Sequence, residues 1–486
     1  MSALFAPTAL TSFPPYRLSA YLPTFPPMSD TLMISVSGMR GIVGKDLTPE
    51  LVARHAAALG AWARQNGKPV VVLGRDARTS GPMFARAATA GLMSVGVEVI
   101  DVGVVPTPTV QLAVEHHHAG AGLILTASHN PIEWNALKFV GPDGIFLDGA
   151  DGNAVRALAE QGPARTGWEG VGQYREDRDA IKRHLDQVFS LPGLDVEAIR
   201  AKKFIVALDC VRGAGGTTIP QLLERLGCRV SGINLETDGK FPRAPEPLPE
   251  NLGELSRLVR ESGAVIGLAV DPDVDRLALV DETGRPIGED YTLAFAVRSV
   301  LNGGTEPPSR PPGDAPVVVA NLSTSLVVED AARMCGARFV RAAVGEANVA
   351  RAIRDEGAVI GGEGNGGVIL PALHIGRDAP VGVALILHLL ARSGQAVSRL
   401  VAGQPQYRIV KAKGQRGKDL APVYAKLTAR FSDAAADTRD GLRLAWKDRW
   451  VHIRPSGTEP IVRFIAEAPT AEAAEELVSA CRELMA

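Results

Sequence analysis

The chain is short of several things, and each shortage excludes a class of protein. It has only 4 cysteines in 486 residues. Cys210, Cys228, Cys335 and Cys481 lie far apart and form no C-x-x-C pair, so neither a disulfide framework nor a zinc site is implied. They read as reduced thiols, which points to a cytoplasmic protein. Charge of one sign is also lacking. Lys and Arg number 52 against 54 Asp and Glu, for a formal net charge of -2, so no basic field exists to hold nucleic acid or an anionic membrane. No apolar run is long enough to span a bilayer. The most apolar, residues 381–391, contains His388 and reads as a buried helix. Residues 1–27 hold six prolines and Arg17 as their only charge, and read as a disordered extension ahead of Met28. Small-molecule chemistry remains.

At 486 residues the chain is too long for one core and should divide into three or four domains. Its most informative stretch is an apolar run, residues 264–270, that opens onto Asp271-Pro272-Asp273-Val274-Asp275 and then Arg276. Three carboxylates at i, i+2 and i+4 repel one another, so a fold that gathers them at the end of a buried strand calls for a hard divalent cation. With no Cys or His among them, Mg²⁺ is the expected ion. An EF-hand is excluded because Arg276 stands where the loop needs glycine. A phosphatase that uses Asp271 as its nucleophile stays open as an alternative.

The same texture occurs three times. Glu261-Ser-Gly-Ala-Val-Ile-Gly267 recurs as Asp355-Glu-Gly-Ala-Val-Ile-Gly361, and each copy runs into a polar loop, 271–276 in one case and 363–367 in the other. Each is preceded by an apolar strand (204–208; 317–320), a helical stretch and a second strand announced by glycine (227–230; 336–339). A third copy comprises strands at 70–73, 96–99 and 122–126 and ends at Ala127-Ser128-His129-Asn130-Pro131. Strands alternating with helices build sheets covered on both faces, whose strand-end loops can face one cleft. The expected fold class is therefore α/β, with three similar units followed by a smaller α+β domain. That last domain carries a hairpin at 442–454 and a closing helix at 471–485. The expected domains are 28–174, 175–288, 289–404 and 405–486. The hairpin ends in Arg454-Pro455-Ser456-Gly457-Thr458-Glu459-Pro460, a combination of guanidinium, hydroxyls and glycine backbone suited to cradling phosphate.

Ser128 lies at a strand end beside His129, with Asn135 and Lys138 downstream, and no G-x-S-x-G elbow surrounds it. Four motifs, in this order and at this spacing, carry a resemblance: Thr126-Ala-Ser-His-Asn-Pro131, Asp271-Pro-Asp-Val-Asp-Arg276, Gly362-Glu-Gly-Asn-Gly-Gly367 and Arg454-Pro-Ser-Gly-Thr-Glu-Pro460. On them the chain resembles the α-D-phosphohexomutase superfamily of phosphoglucomutases, phosphomannomutases and phosphoglucosamine mutases, from residue 33 to the end.

The resemblance implies a heart-shaped, four-domain enzyme, a monomer or homodimer, that interconverts hexose 6-phosphate and hexose 1-phosphate through a hexose 1,6-bisphosphate. It implies that Ser128 is phosphorylated at rest and that Asp271, Asp273 and Asp275 hold Mg²⁺ together with the phosphoserine. Arg40, His129 and Lys138 would surround the transferring group. Arg276 would enter the cleft, Glu363 and Asn365 would meet sugar hydroxyls, and Arg454, Ser456, Gly457 and Thr458 would hold the phosphate that is not reacting. Two positions depart from the common pattern. Ala136 stands where glycine is usual, and Asn365-Gly366-Gly367 stands where many members have Ser-Gly-His. Loops of this second form occur in branches resembling phosphoglucosamine mutases and in enzymes acting on both glucose and mannose phosphates, so glucosamine phosphate is the first expected substrate and the latter two the second. A silent sugar-phosphate-binding protein is a further alternative, against which the intact serine and Asp triad argue. Four other features take ordinary readings. His116-His117-His118 is expected to be solvated and residues 213–216 to be a tight turn, the Pro/Gly-rich stretch 302–316 is expected to be a mobile surface loop, and His374, Arg377 and Asp378 receive no role.

Overall fold

The computed structural model describes residues 32–35, 37–301, 315–415, 419–455 and 461–484. The N-terminal extension, nearly all of the Pro/Gly-rich stretch, and Ser456, Gly457 and Thr458 lie outside the described residues. Four sheets organise the rest. The second runs in the order Arg229–Ile233, Ile205–Asp209, Ile266–Val270, Leu277–Asp281, and the third in the order Arg338–Ala342, Val317–Asn321, Ile360–Glu363, Gly367–Ile369. In each, three parallel strands end in an antiparallel edge strand. The first sheet contains the same set as Glu98–Val104, Val70–Arg75, Ala121–Leu125, Trp134–Val140 and adds three outer strands, Gly38–Ile42, Met33–Ser35 and Tyr174–Glu176.

The threefold repeat read from the sequence is therefore a repeat of topology. Wholly apolar strands such as Ile266–Val270 are buried along their length, as strands of a sheet covered on both faces must be. The antiparallel edge strand is the part that the sequence reading lacked. Each returns directly from the polar loop.

The largest apolar core is continuous from Leu185 to Val401, so the second and third sheets share one interior. The helix Ala379–Ser393 runs through it with every residue from Ala379 to Ala391 buried, as expected of the most apolar stretch in the chain. Burying Val, Leu and Ile side chains at about 1.5–3 kcal/mol each makes this helix the main fastening between the two units. The loops they carry are thus held in a fixed relation.

The C-terminal unit is a five-stranded antiparallel sheet, Arg408–Gln415, Ile461–Ala468, Trp450–Pro455, Leu442–Ala445, Ala435–Asp437, with its own core. Glu467 clasps it to the third unit. This fully buried carboxylate accepts hydrogen bonds from the Ser325 hydroxyl, from Leu326 N at 2.8 Å and from Trp450 Nε1 at 2.6 Å. Beside it, His452 bridges Ser323 Oγ at 2.8 Å and the Asp440 carbonyl at 2.6 Å. Glu467→Ala should strand three buried donors, each costing about 1–3 kcal/mol. The expected outcome is a calorimetric melt in which the transition of the C-terminal unit falls by several degrees. An unchanged melt would show that water reaches the clasp.

Candidate active site

The three equivalent strand ends, after Leu125, Val270 and Glu363, open into one cleft of about 690 Å³ that is also lined by Arg454 of the fourth sheet. Among the residues expected at the site, Arg40, Ser128, His129, Lys138, Arg276, Glu363, Asn365 and Arg454 all line it.

Ser128 is buried and sits at φ +49°, a left-handed conformation uncommon for a residue with a side chain. The reason lies beneath the loop. Arg78, fully buried, uses all five of its N–H donors there. Nε donates to Asp76 Oδ2 at 3.0 Å, Nη1 to the carbonyls of Pro131 and Trp134 at 2.6 and 2.9 Å, and Nη2 to those of Ser128 and Asn130 at 2.7 and 2.6 Å. Thr126 Oγ1 joins the same assembly, donating to Asp76 Oδ2 at 2.7 Å and accepting from Ser128 N at 2.9 Å. The result points Ser128 Oγ out of the first unit and into the second, where it donates to Asp271 Oδ2 at 2.9 Å. His129 Nδ1 lies 3.3 Å from the same hydroxyl. Burial, with Arg276 and Arg40 close by, pushes this imidazole down to about 2, so it is neutral and a weak base.

Asp271, Asp273 and Asp275 are 0%, 1% and 0% exposed, which rules out a solvated acidic turn. Val274 between them lies at φ +61°, a strained conformation for a β-branched residue, and Asp271 Oδ1 accepts from the backbone N–H of Asp275 and of Arg276, each at 3.2 Å. Burial and the charges of Asp275 and Asp273 drive the Asp271 carboxyl up. Burial acts the same way on Asp273, but Lys138 and the Thr107 hydroxyl outweigh it and hold that carboxyl down. Lys138 Nζ donates to Asp273 Oδ2 at 2.7 Å and lies 3.8 Å from Asp275, and Thr107 donates to the same Oδ2 at 2.9 Å. Burial alone would depress the Lys138 ammonium, yet Asp273 and Asp275 hold it up. One carboxylate oxygen from each of the three aspartates falls within 4.8 Å of the others, and Asp273 Oδ1 and Asp275 Oδ1 are buried without a hydrogen-bond partner. Hard oxygen donors, clustered, buried and incompletely satisfied, fit a divalent metal ion.

Glu363, at the end of its strand, accepts from Asn321 Nδ2 at 2.8 Å and from Gly345 N at 3.2 Å. Burial would raise its carboxyl, but Arg377 and Asn321 keep it below the usual range. Asn365 Nδ2 lies 3.4 Å from Glu363 Oε2 and its Oδ1 accepts from Gly367 N at 3.2 Å. Arg40 Nη1 donates to Asn130 Oδ1 at 2.7 Å, and Arg276 Nη1 to Glu246 Oε1 at 2.9 Å. Arg454 Nε lies 3.0 Å from Asp440 Oδ2. His116 and His118 are exposed as expected, but His117 is half-buried and binds Asp177 Oδ2 at 2.7 Å, and the turn expected at 213–216 is a single 3₁₀ turn, Ala214–Thr217.

Sequence reasoning missed Arg78, Thr107, Glu346 and Arg377. Arg377 donates to Asp275 and to Glu363, bridging two of the three loops. Only Arg377 left a trace in the sequence, since Asp378 beside it opens an apolar helix as its N-cap, accepting from Val381 N at 2.9 Å.

The chain matches four successive family models, phosphoglucomutase/phosphomannomutase alpha/beta/alpha domain I over residues 32–165, domain II over 182–284, domain III over 289–407 and the C-terminal domain over 409–484. It is 39% identical over 447 residues to the phosphoglucomutase/phosphomannomutase of Thermococcus kodakarensis, covering 90% of this chain and 95% of that one. It is 34% identical over 463 residues to the phosphoglucosamine/phosphogalactosamine mutase of Sulfurisphaera tokodaii, covering 93% and 99%. The crystal structure of a phosphoglucomutase/phosphomannomutase family protein from Burkholderia thailandensis superposes with a TM-score of 0.80 at 26% identity, over 93% of this chain and 98% of that one. Four matched units in unbroken order, and relatives similar along nearly their whole length, agree with a cleft that sets a serine hydroxyl against a buried Asp triad: the chain belongs to the phosphoglucomutase/phosphomannomutase family.

Proposed function

We propose that the protein is a phosphohexomutase in which Ser128 carries the phosphoryl group between the 6- and 1-positions of a hexose, with glucosamine phosphate as the favoured sugar. The contact of Ser128 Oγ with Asp271 Oδ2 at 2.9 Å carries the reading, because it sets a nucleophile from one unit against a metal-binding loop of another. Asp271, Asp273 and Asp275 would hold Mg²⁺, with an oxygen of phosphorylated Ser128 completing the set. When bound, the ion supplies positive charge to the phosphoryl oxygens.

The chain's own groups do the rest. A phosphoryl transition state spreads negative charge over its oxygens, and Arg40, Lys138 and Arg276 converge on the cleft beside Ser128 to neutralise it. In the forward half-reaction the bond from phosphorus to Ser128 Oγ breaks as a sugar hydroxyl oxygen bonds to phosphorus, and the hydroxyl proton ends on Ser128 Oγ. In the return, Ser128 Oγ bonds to the other phosphorus of the hexose 1,6-bisphosphate as the bond from that phosphorus to its sugar oxygen breaks. The serine proton ends on the sugar oxygen that leaves, and His129, 3.3 Å from Ser128 Oγ, is placed to orient the hydroxyl. Between the two the sugar turns round. Arg454, with Ser456, Gly457 and Thr458, therefore addresses phosphate, the feature shared by both orientations, while Glu363 and Asn365 address sugar hydroxyls. An amino sugar is favoured by the carboxyl groups that line the cleft, Glu289 and Glu346 together with Glu363. The Sulfurisphaera tokodaii relative, named for glucosamine and galactosamine, supports the same choice.

Purified wild-type protein should show a phosphoryl adduct mapping to Ser128 by mass spectrometry, and Ser128→Ala should lose it together with several orders of magnitude in turnover, with the fold intact. A variant turning over near the wild-type rate would refute the phosphoserine and favour Asp271 as the nucleophile of a phosphatase.

The two substrate loops should fail in different ways. Arg454→Ala should lower kcat/KM for glucosamine, glucose and mannose phosphates alike, by about 1.5–3 kcal/mol for a charged hydrogen bond. Asn365→Ser should instead change the ratios among the three sugars. Kinetics on all three with both variants check this, and the reverse pattern would mean that the roles of the two loops are exchanged.

A further inference from the structure

Gly367 occupies the position in the sugar loop where the family pattern often has histidine. Gly366 beside it lies at φ +87° and needs to be glycine, but Gly367 is not among the positive-φ residues, so its backbone would accept a side chain. The space would not. A Cβ built on Gly367 would sit 2.3 Å from Arg377 Cδ and 3.0 Å from its Cγ. The volume that a side chain at 367 would enter is filled by an arginine arriving from further along the chain.

From that position the Arg377 guanidinium reaches three carboxylates on three elements. Nη2 donates to Asp275 Oδ2 of the metal loop at 2.6 Å, Nη1 to Glu363 Oε2 of the sugar loop at 2.7 Å, and Nε lies 3.0 Å from Glu346 Oε2 at the start of the helix Glu346–Asp355. Asp275 Oδ2 is thereby engaged, while Oδ1 stays without a hydrogen-bond partner. The arginine is anchored from behind. Asp378 accepts from His184 Nε2 at 2.8 Å and lies 3.0 Å from His374 Nε2, and His184 Nδ1 meets Thr109 Oγ1 at 2.9 Å.

We propose that Arg377 is a positioning residue that couples the metal loop to the sugar loop, filling the space that a side chain at 367 would need. The role rests on the mutase reading of the cleft. One guanidinium sets the orientation of both Asp275 and Glu363, so metal affinity and sugar affinity depend on a single side chain.

The test uses Arg377→Gln, Arg377→Lys, Gly367→Ala and the double variant Gly367→Ala/Arg377→Gln in the full chain. Mg²⁺ binding to substrate-free protein is measured by calorimetry, and KM and kcat are measured with glucosamine 6-phosphate. Arg377→Gln should weaken Mg²⁺ binding and raise KM by about 10- to 100-fold each, as loss of a group that orients metal ligands does, with a smaller effect on kcat. Arg377→Lys should recover part of both. Gly367→Ala keeps the charge but displaces the side chain, so it should shift both quantities in the same direction, and the double variant should be no worse than Arg377→Gln alone. Mg²⁺ binding and KM of Arg377→Gln both within about twofold of wild type, or losses that multiply in the double variant, would overturn the proposal. Should Arg377→Gln not fold, Gly367→Ala decides, and wild-type values there overturn it. Wild-type protein that turns over no hexose phosphate would instead remove the mutase reading, leaving the Mg²⁺ measurement to decide whether Arg377 governs the triad.

Discussion

Three carboxyl groups buried at the end of one strand set the terms for the rest of this molecule. Asp271, Asp273 and Asp275 are sealed from water, and such an arrangement is untenable without cations drawn from elsewhere. Lys138 comes from the first unit and Arg377 from the third, each within hydrogen-bond reach of the triad. The backbone of the loop itself turns N–H groups onto Asp271 at the expense of a strained Val274. The compensation is incomplete, because two carboxylate oxygens stay unsatisfied, and that residual demand is what suits the loop to a metal ion. The same demand brings the units together. Their packing around the cleft and the chemistry of the cleft are two aspects of one electrostatic problem.

The repeated topology explains how the solution is distributed. Each of the first three units places one loop between a buried parallel strand and its antiparallel neighbour, so Ser128, the Asp triad and Glu363 occupy equivalent positions in different sheets. The second and third share a core and present their loops as one rigid surface. The fourth is joined to the third through polar contacts, Glu467 to Ser325 and Leu326, and His452 to Ser323. Polar clasps of this size are far weaker than the shared apolar interior, which makes the C-terminal unit the one most free to shift against the other three.

Much of this was legible in the sequence because its signals are local. Residues 264–267 and 358–361 spell the same Ala-Val-Ile-Gly, so the repeat announces itself, and the carboxylate spacing at 271–275 follows from a single loop. What was not legible depends on distance along the chain. Arg78 lies about fifty residues before the carbonyls it binds and Arg377 about a hundred after Asp275, and the N-cap Asp378 beside Arg377 marks a helix start without showing what the arginine reaches. The antiparallel strands that return from the polar loops were missed for the same reason, since strands of three to seven residues such as Gly367–Ile369 and Trp134–Val140 take their identity from the partner they lie against.

The grip of Arg78 on the serine loop has a further consequence. Four of its five donors hold main-chain oxygens of residues 128–134, and none holds a side chain of that loop. Shape is therefore secured from beneath and without regard to which side chains the loop displays. A segment built in this way separates two demands that usually compete: its course through space is settled by one buried cation, leaving the side chains above free to be selected for reactivity alone.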